Sequence, residues 1–172
     1  MASSAPSGAR MASSAPPGAR RLAKEIKQLQ GKPPDGISLL SADDMRRWLV
    51  CLCGAPDTLY EGETFTLQFV FGDDYPMGAP EVTFVGESTP VHTHIYSNGH
   101  ICLSLLADDW SPALTVSSLS VSIQSMLSSA TAKKLPKDNS SYVKRYSGSS
   151  PKDTKWSECG QCTSACAPCL LA

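Results

Sequence analysis

The sequence predicts an α+β fold: a helix, four short strands forming an antiparallel sheet, a long irregular segment, then helices. Three observations carry this. Leu22, Ile26 and Leu29 recur at helical spacing near the start. Phe65, Leu67, Phe69 and Phe71 then alternate with Thr66, Gln68 and Val70, the period of a half-buried strand. Periodicity vanishes between Pro90 and Pro112, and helical spacing returns with Leu119, Ile123, Met126 and Leu127. Strands grouped together and followed by helices point to α+β rather than a doubly wound parallel sheet.

The first twenty residues are a near-perfect tandem repeat, MASSAPSGAR and MASSAPPGAR, made of Ala, Ser, Pro and Gly with no apolar face to bury. They read as a disordered tail over 1–19. The first helix is expected from about Pro17 to Gln30, with Gly31 and Pro33-Pro34 as its stop, and Arg21 and Lys24 off the apolar stripe, facing outward. Strands are expected at Ile37–Leu40, Trp48–Cys53, Phe65–Phe71 and Val82–Val85. Gly72-Asp-Asp-Tyr-Pro76 and Pro80 make a proline-pinned loop between the last two. Thr115 is positioned to cap the second helix. Lys133–Lys137 reads as a loop, and Asp138 or Asn139 caps a short third helix carrying Tyr142, Val143 and Tyr146. A folded core over 20–147 is followed by a Cys-rich tail over 148–172.

Composition narrows the function. A formal net charge of −1 gives no global field toward nucleic acid. No apolar run is long enough to span a bilayer, and the N-terminus lacks the apolar stretch of a secretory signal. The reading is a cytoplasmic and nuclear protein whose seven cysteines are kept as thiols.

The irregular segment PVHTHIYSNGHICLSLLADDWSP holds all three histidines and Cys102, and a structureless stretch of this length in a compact domain is characteristically functional. Asn98-Gly99 marks a tight turn within it. From the residues alone three readings stand. His92, His94, His100 and Cys102 are zinc-type ligands within eleven residues. His92 and Cys102 can equally be structural, an imidazole bonded to backbone and a small buried hydrophobe. Or Cys102 is a nucleophile.

A resemblance favours the third. The run YSNGHICLSLL followed by DDWSPALTV is similar to the active-site signature of ubiquitin-conjugating enzymes. RRLAKEIKQL, GAPDTLYEGETFTLQFVF, DYPMGAPEVTF and SLSVSIQSMLSS resemble other parts of that family in the same order, so the likeness covers roughly residues 20–146. It implies a transferase with the ubiquitin-conjugating fold. An activating enzyme, which itself uses the ATP, passes ubiquitin to Cys102 as a thioester, and a ligase of RING or U-box type brings a substrate whose amine attacks it. No cofactor and no metal are implied. A thiolate suits this chemistry, being both a strong nucleophile and a good leaving group. A carrier for another ubiquitin-like modifier and a non-catalytic ubiquitin-binding variant are the rivals within the fold.

Where most of the family has His-Pro-Asn, this chain has His92-Thr93-His94. His in the third position resembles the W-type branch, which has His-Pro-His, and LYEGETF, PVHTHIYSNGHICLSLL, DNSSYV and TKW also resemble it. The branch directs ubiquitin to the α-amino group of substrates with flexible N-termini. An α-amine of pKa near 7.8 is about one quarter neutral at pH 7.4, against about one lysine in a thousand, so it needs less catalytic help. His94 is then a hydrogen-bond donor to the oxyanion, a base, or a brace for the loop. Ser104 follows the nucleophile, and Asp138 and Asn139 stand where the family places residues that gate the amine. Arg21, Lys24, Met77, Pro112 and Ala113 match surfaces that meet the activating enzyme and ligases, with Met77 in place of the usual Phe. For Arg21 and Lys24 an ordinary solvated helix face is the plainer alternative; for Met77 it is a loop plug.

The end of the chain, WSECGQCTSACAPCLLA, departs from the family. Cys159, Cys162, Cys166 and Cys169 are too closely spaced for the usual zinc knuckle. Cys169-Leu-Leu-Ala fits a farnesylation pattern, with Cys162 and Cys166 as acylation candidates, and only that modification would bring the protein to a membrane.

Overall fold

The computed structural model describes residues 18–154. The repeat before Gly18 and every expectation for Cys159, Cys162, Cys166 and Cys169 lie outside the described residues.

Helix α1 (Ala19–Gly31) leads into strands β1 (Ile37–Asp44), β2 (Arg47–Cys53), β3 (Thr64–Val70) and β4 (Glu81–Val85). The four form one antiparallel sheet in the order β1-β2-β3-β4. Its strands alternate buried and half-exposed positions, so Trp48, Val50, Leu52, Phe65, Leu67, Phe69, Val82 and Phe84 line one face. Strand β1 runs four residues past its expected end at Leu40. The added Ser41-Ala-Asp-Asp is polar and pairs through register shifts after Leu39 and Ser41, which hides it from an alternation test.

Helix α2 (Val116–Ser128) buries Leu119, Ile123, Met126 and Leu127 with the sheet residues in one core. Thr115 and Ser118 cap its start reciprocally: the Thr115 side chain accepts from the Ser118 amide at 3.1 Å, and Ser118 Oγ accepts from the Thr115 amide at 2.8 Å. A short helix α3 (Asn139–Arg145) follows, and a 3₁₀ turn at Pro151–Asp153 packs against β4. Packing therefore continues past the boundary expected at Ser147: Thr154 Oγ lies 3.0 Å from the Tyr142 hydroxyl.

Glu25 is the one charged residue of the interior among the described residues, 3% exposed. It sits three residues after Leu22, on the apolar stripe itself. Its carboxylate accepts from the Tyr75 hydroxyl at 2.7 Å, from the Val116 amide at 2.8 Å and from the Arg21 guanidinium. One carboxylate thus joins α1, the loop carrying Tyr75 and the N-terminus of α2, where the helix dipole favours an anion. Burial and the bond to Glu25 push the Tyr75 hydroxyl far above its ordinary pKa.

Candidate active site

The segment between β4 and α2 is built as a series of turns pinned to the sheet. Gly99 adopts φ +87°, and its backbone passes so close to β4 that a Cβ would lie 2.1 Å from the Phe84 carbonyl oxygen. The Phe84 amide donates to the Gly99 carbonyl at 2.9 Å, and Tyr96 and His100 close the turn. Single bridges join Thr83 to His100 and Ile95 to Ile101. This pinning sets the alternation of the next residues: Ile101 points into the main core, and Cys102 falls in a separate cluster with Tyr96 and Tyr142.

Cys102 is 2% exposed. Its amide donates to the His94 carbonyl at 2.8 Å, so the segment holding Cys102 is fixed to the histidine loop. Within that loop His92 is buried, and its Nδ1 accepts from the His94 amide at 3.0 Å. That bond requires Nδ1 to be unprotonated. Burial, aided by the neighbouring His94, lowers the His92 pKa to about 4. Burial also lowers that of half-buried His94, so both rings are neutral near pH 7. The two ring centroids are 5.4 Å apart. His94 Nδ1 is buried without a hydrogen-bond partner among the described residues.

Asp138 and Asn139 do meet the active-site segment, but as ties. The Tyr96 hydroxyl donates to the Asp138 carboxylate at 3.1 Å, and Asn139 exchanges two bonds with Ser97, at 2.9 and 3.1 Å. His100 Nδ1 lies 3.0 Å from the Tyr142 hydroxyl, and the rings of Tyr96 and Tyr142 stack at 3.6 Å. Ser104 opens a 3₁₀ turn, where its carbonyl accepts from the amides of Ala107 and Asp109. Cys51 and Cys53 are free thiols. Cys102, expected as a thiol, is disulfide-bonded in this structure. A disulfide sulfur offers no thiolate, so the reduced form is the one able to accept an acyl group.

Met77 is 74% exposed, and Lys24, Pro112 and Ala113 are exposed. Trp110 joins the two loops, donating from Nε1 to the Pro76 carbonyl at 3.0 Å. Arg21 departs from expectation. Instead of facing outward it turns onto its own molecule, pairing with Glu25 and donating to the Leu114 carbonyl at 2.9 Å, because the buried carboxylate draws it in. Tyr96 and Glu25 are the site and scaffold residues that sequence reasoning passes over, and Tyr142 is read there only as part of a short helix. Only Glu25 carries a signal, its place on the apolar stripe.

The family model described as ubiquitin-conjugating enzyme matches residues 21–159. The chain belongs to the ubiquitin-conjugating enzyme family. Ubiquitin-conjugating enzyme E2 W of Caenorhabditis elegans is 51% identical over 139 residues, covering 79% of this chain and 91% of that protein. The probable ubiquitin-conjugating enzyme E2 W of Dictyostelium discoideum is likewise 51% identical, over 136 residues, with the same coverage. Among solved structures, the ubiquitin-conjugating enzyme UbcA1 of Agrocybe aegerita is similar with a TM-score of 0.73 at 46% identity, over 76% of this chain and 95% of that one. The protein is thus a ubiquitin-conjugating transferase that works through a thioester, in concert with ubiquitin, an activating enzyme and ligases. No described helix is long and apolar enough to cross a membrane.

Proposed function

We propose that Cys102 is the ubiquitin carrier and that the acceptor is the α-amino group of a substrate with a flexible N-terminus. The observation that supports this reading is the bond from the Cys102 amide to the His94 carbonyl, which fixes the histidine loop to the backbone of Cys102, with the His94 ring kept neutral by burial. The Cys102 thiolate attacks the thioester carbonyl of ubiquitin on the activating enzyme, and that enzyme's cysteine leaves as a thiolate. A neutral substrate amine then attacks the new thioester, and Cys102 Sγ leaves. The first step needs an unhindered sulfur. The second needs an amine already free of its proton, or a base to remove it. His94 can give modest help with that proton. Burial holds its pKa below the ordinary imidazole value, so it is unprotonated near pH 7 but is a weak base. Such a base serves an α-amine, of which about one quarter is already neutral at pH 7.4, better than a lysine. Asp138, which in a lysine-directed site would orient the incoming ammonium, is instead committed to Tyr96.

The reading extends to ligases of RING or U-box type on the Met77, Pro112 and Ala113 face, to a cytoplasmic and nuclear location, and to a reaction that needs no bound cofactor. Its test is a discharge assay. The protein is charged with activating enzyme, ubiquitin and ATP, then chased with a lysine-free peptide bearing a free N-terminus, or with an N-acetylated peptide bearing one lysine. We expect loss of the reductant-sensitive adduct and appearance of peptide–ubiquitin only with the first. Cys102→Ser should give a reductant-resistant ester in place of the thioester. Equal discharge by the lysine peptide would overturn the α-amine assignment, and a persistent reductant-sensitive adduct on the serine variant would move the carrier elsewhere.

A further inference from the structure

Alternation along β2 sets two thiols side by side, away from the core. Trp48, Val50 and Leu52 are buried, so Cys51 and Cys53 project from the opposite face of the sheet, each half-buried. Both are free thiols. Positions two apart on a strand share a face and lie about 6.6 Å from one another. Burial, and then the Cys53 thiol beside it, push the Cys51 thiol above its ordinary pKa, while a hydrogen bond with Ser38 pulls the other way.

The frame around the pair is fixed. Strand β2 is an inner strand; Cys51 stands opposite Ser38 of β1 and Thr66 of β3, and Cys53 opposite Thr64. The Cys53 amide donates to the Gly36 carbonyl at 2.7 Å, and its carbonyl accepts from Gln124 Nε2 at 3.0 Å. These cross-strand neighbours offer hydroxyls, not a further thiol, imidazole or carboxylate. Among the described residues no group of three or more His, Cys, Asp or Glu side chains is placed to hold a metal ion. A tetrahedral ion such as Zn(II), or a hard oxygen-seeking one, therefore lacks the donors it needs here. Two sulfurs suit a soft ion satisfied by two ligands. Thiolate–metal bonds of about 2.3 Å, set end to end, span about 4.6 Å. Side chains that lean toward each other along one strand bridge such a gap.

We propose that Cys51 and Cys53 form a two-coordinate site for Cu(I) on the open face of the sheet. Each thiol gives up its proton and forms one copper–sulfur bond. Two protons leave and the copper stays Cu(I) throughout, so the step needs no oxidant or reductant. Cys102 takes no part, and the site stands or falls independently of the carrier assignment.

The test uses the full chain with Cys102→Ser, Cys159→Ser, Cys162→Ser, Cys166→Ser and Cys169→Ser, which leaves this pair as its only thiols. Reduced and kept under argon, it is titrated with Cu(I) buffered by the chromophoric chelator bicinchoninate. We expect one equivalent of Cu(I) per chain to be withdrawn, with an affinity that rises with pH because thiol protons are displaced. Adding Cys51→Ser or Cys53→Ser should each weaken binding about 100-fold, the loss of a linked second donor. Thermal unfolding of every variant ensures that binding is compared between folded chains. X-ray absorption should show two sulfur neighbours around the copper, and Zn(II) offered at the same concentration should not be retained. Copper left entirely on the chelator would overturn the site, as would binding that survives either single replacement. Three or more ligands around the ion, or Zn(II) held as tightly as Cu(I), would overturn the two-coordinate assignment.

Discussion

Ile101 and Cys102 are consecutive, and they enter two different environments. Ile101, 1% exposed, joins a core drawn from α1, all four strands and α2. Cys102 joins Tyr96 and Tyr142 in a cluster of three buried residues, with Val143 and Tyr146 packed against it. The first environment is apolar and interlocked across the sequence, so it opens only when the domain unfolds. The second is shielded by stacked tyrosines and edge hydrogen bonds, and can open while the rest stays intact. One peptide bond thus separates a scaffold position from a working one, and the pinning of Gly99 to β4 keeps the two from exchanging faces.

The largest expected effect probes the scaffold side. Ile101→Ala leaves a cavity in a packed interior and should cost about 3 kcal/mol of global stability, seen as a lower urea midpoint with unchanged slope. A loss below about 1 kcal/mol would mean that the Ile101 side collapses as readily as the Cys102 side, and the contrast would not hold.

A second expectation concerns pH and the loop between the two environments. His92 has its pKa lowered to about 4 by burial, from an ordinary 6.5. The fold favours the neutral ring, so its contribution is fully present above pH 6.5. The unfolded chain takes up protons first as pH falls, and stability declines between pH 6.5 and 4. His94 and His100 are shifted in the same direction and add to the slope. His92→Asn keeps an acceptor for the His94 amide and removes one titrating ring. It should flatten the decline without abolishing it, in urea unfolding followed from pH 7.5 to 4. An unchanged slope would show that His92 is no more buried in solution than in the unfolded chain.

Much of the scaffold is legible in the sequence because its signals are local. Alternation from Phe65 onward, the helical spacing of Leu119 to Leu127 and the Thr115 cap each depend on residues within a few positions of one another. Strand β1 beyond Leu40 escapes because Ser41-Ala-Asp-Asp is polar and bulged. At the site, the identity of the candidate residues is legible but their surroundings are not. Tyr142 meets His100 across 42 positions, and in the sequence the ring that clusters with Cys102 reads only as the apolar face of a short helix. Arg21 and Glu25 show the same limit from the other side. An arginine off the apolar stripe reads as solvent-facing unless the glutamate four residues on is known to be buried.

The smallest effect sharpens the contrast most. The Asn139 side chain accepts from the Ser97 amide and donates to the Ser97 hydroxyl. Asn139→Ala removes both bonds where solvent can replace them, so the loss is about 1 kcal/mol, confined to α3. Amide hydrogen exchange separates local from global change. Amides of Tyr142 and Val143 should exchange about fivefold faster, while those of Val50 and Leu67 keep their rates, because the sheet opens only with the whole domain. Slowly exchanging sheet amides that accelerated in step with α3 would mean that α3 is part of the scaffold, and that the boundary between the two environments does not fall between Ile101 and Cys102.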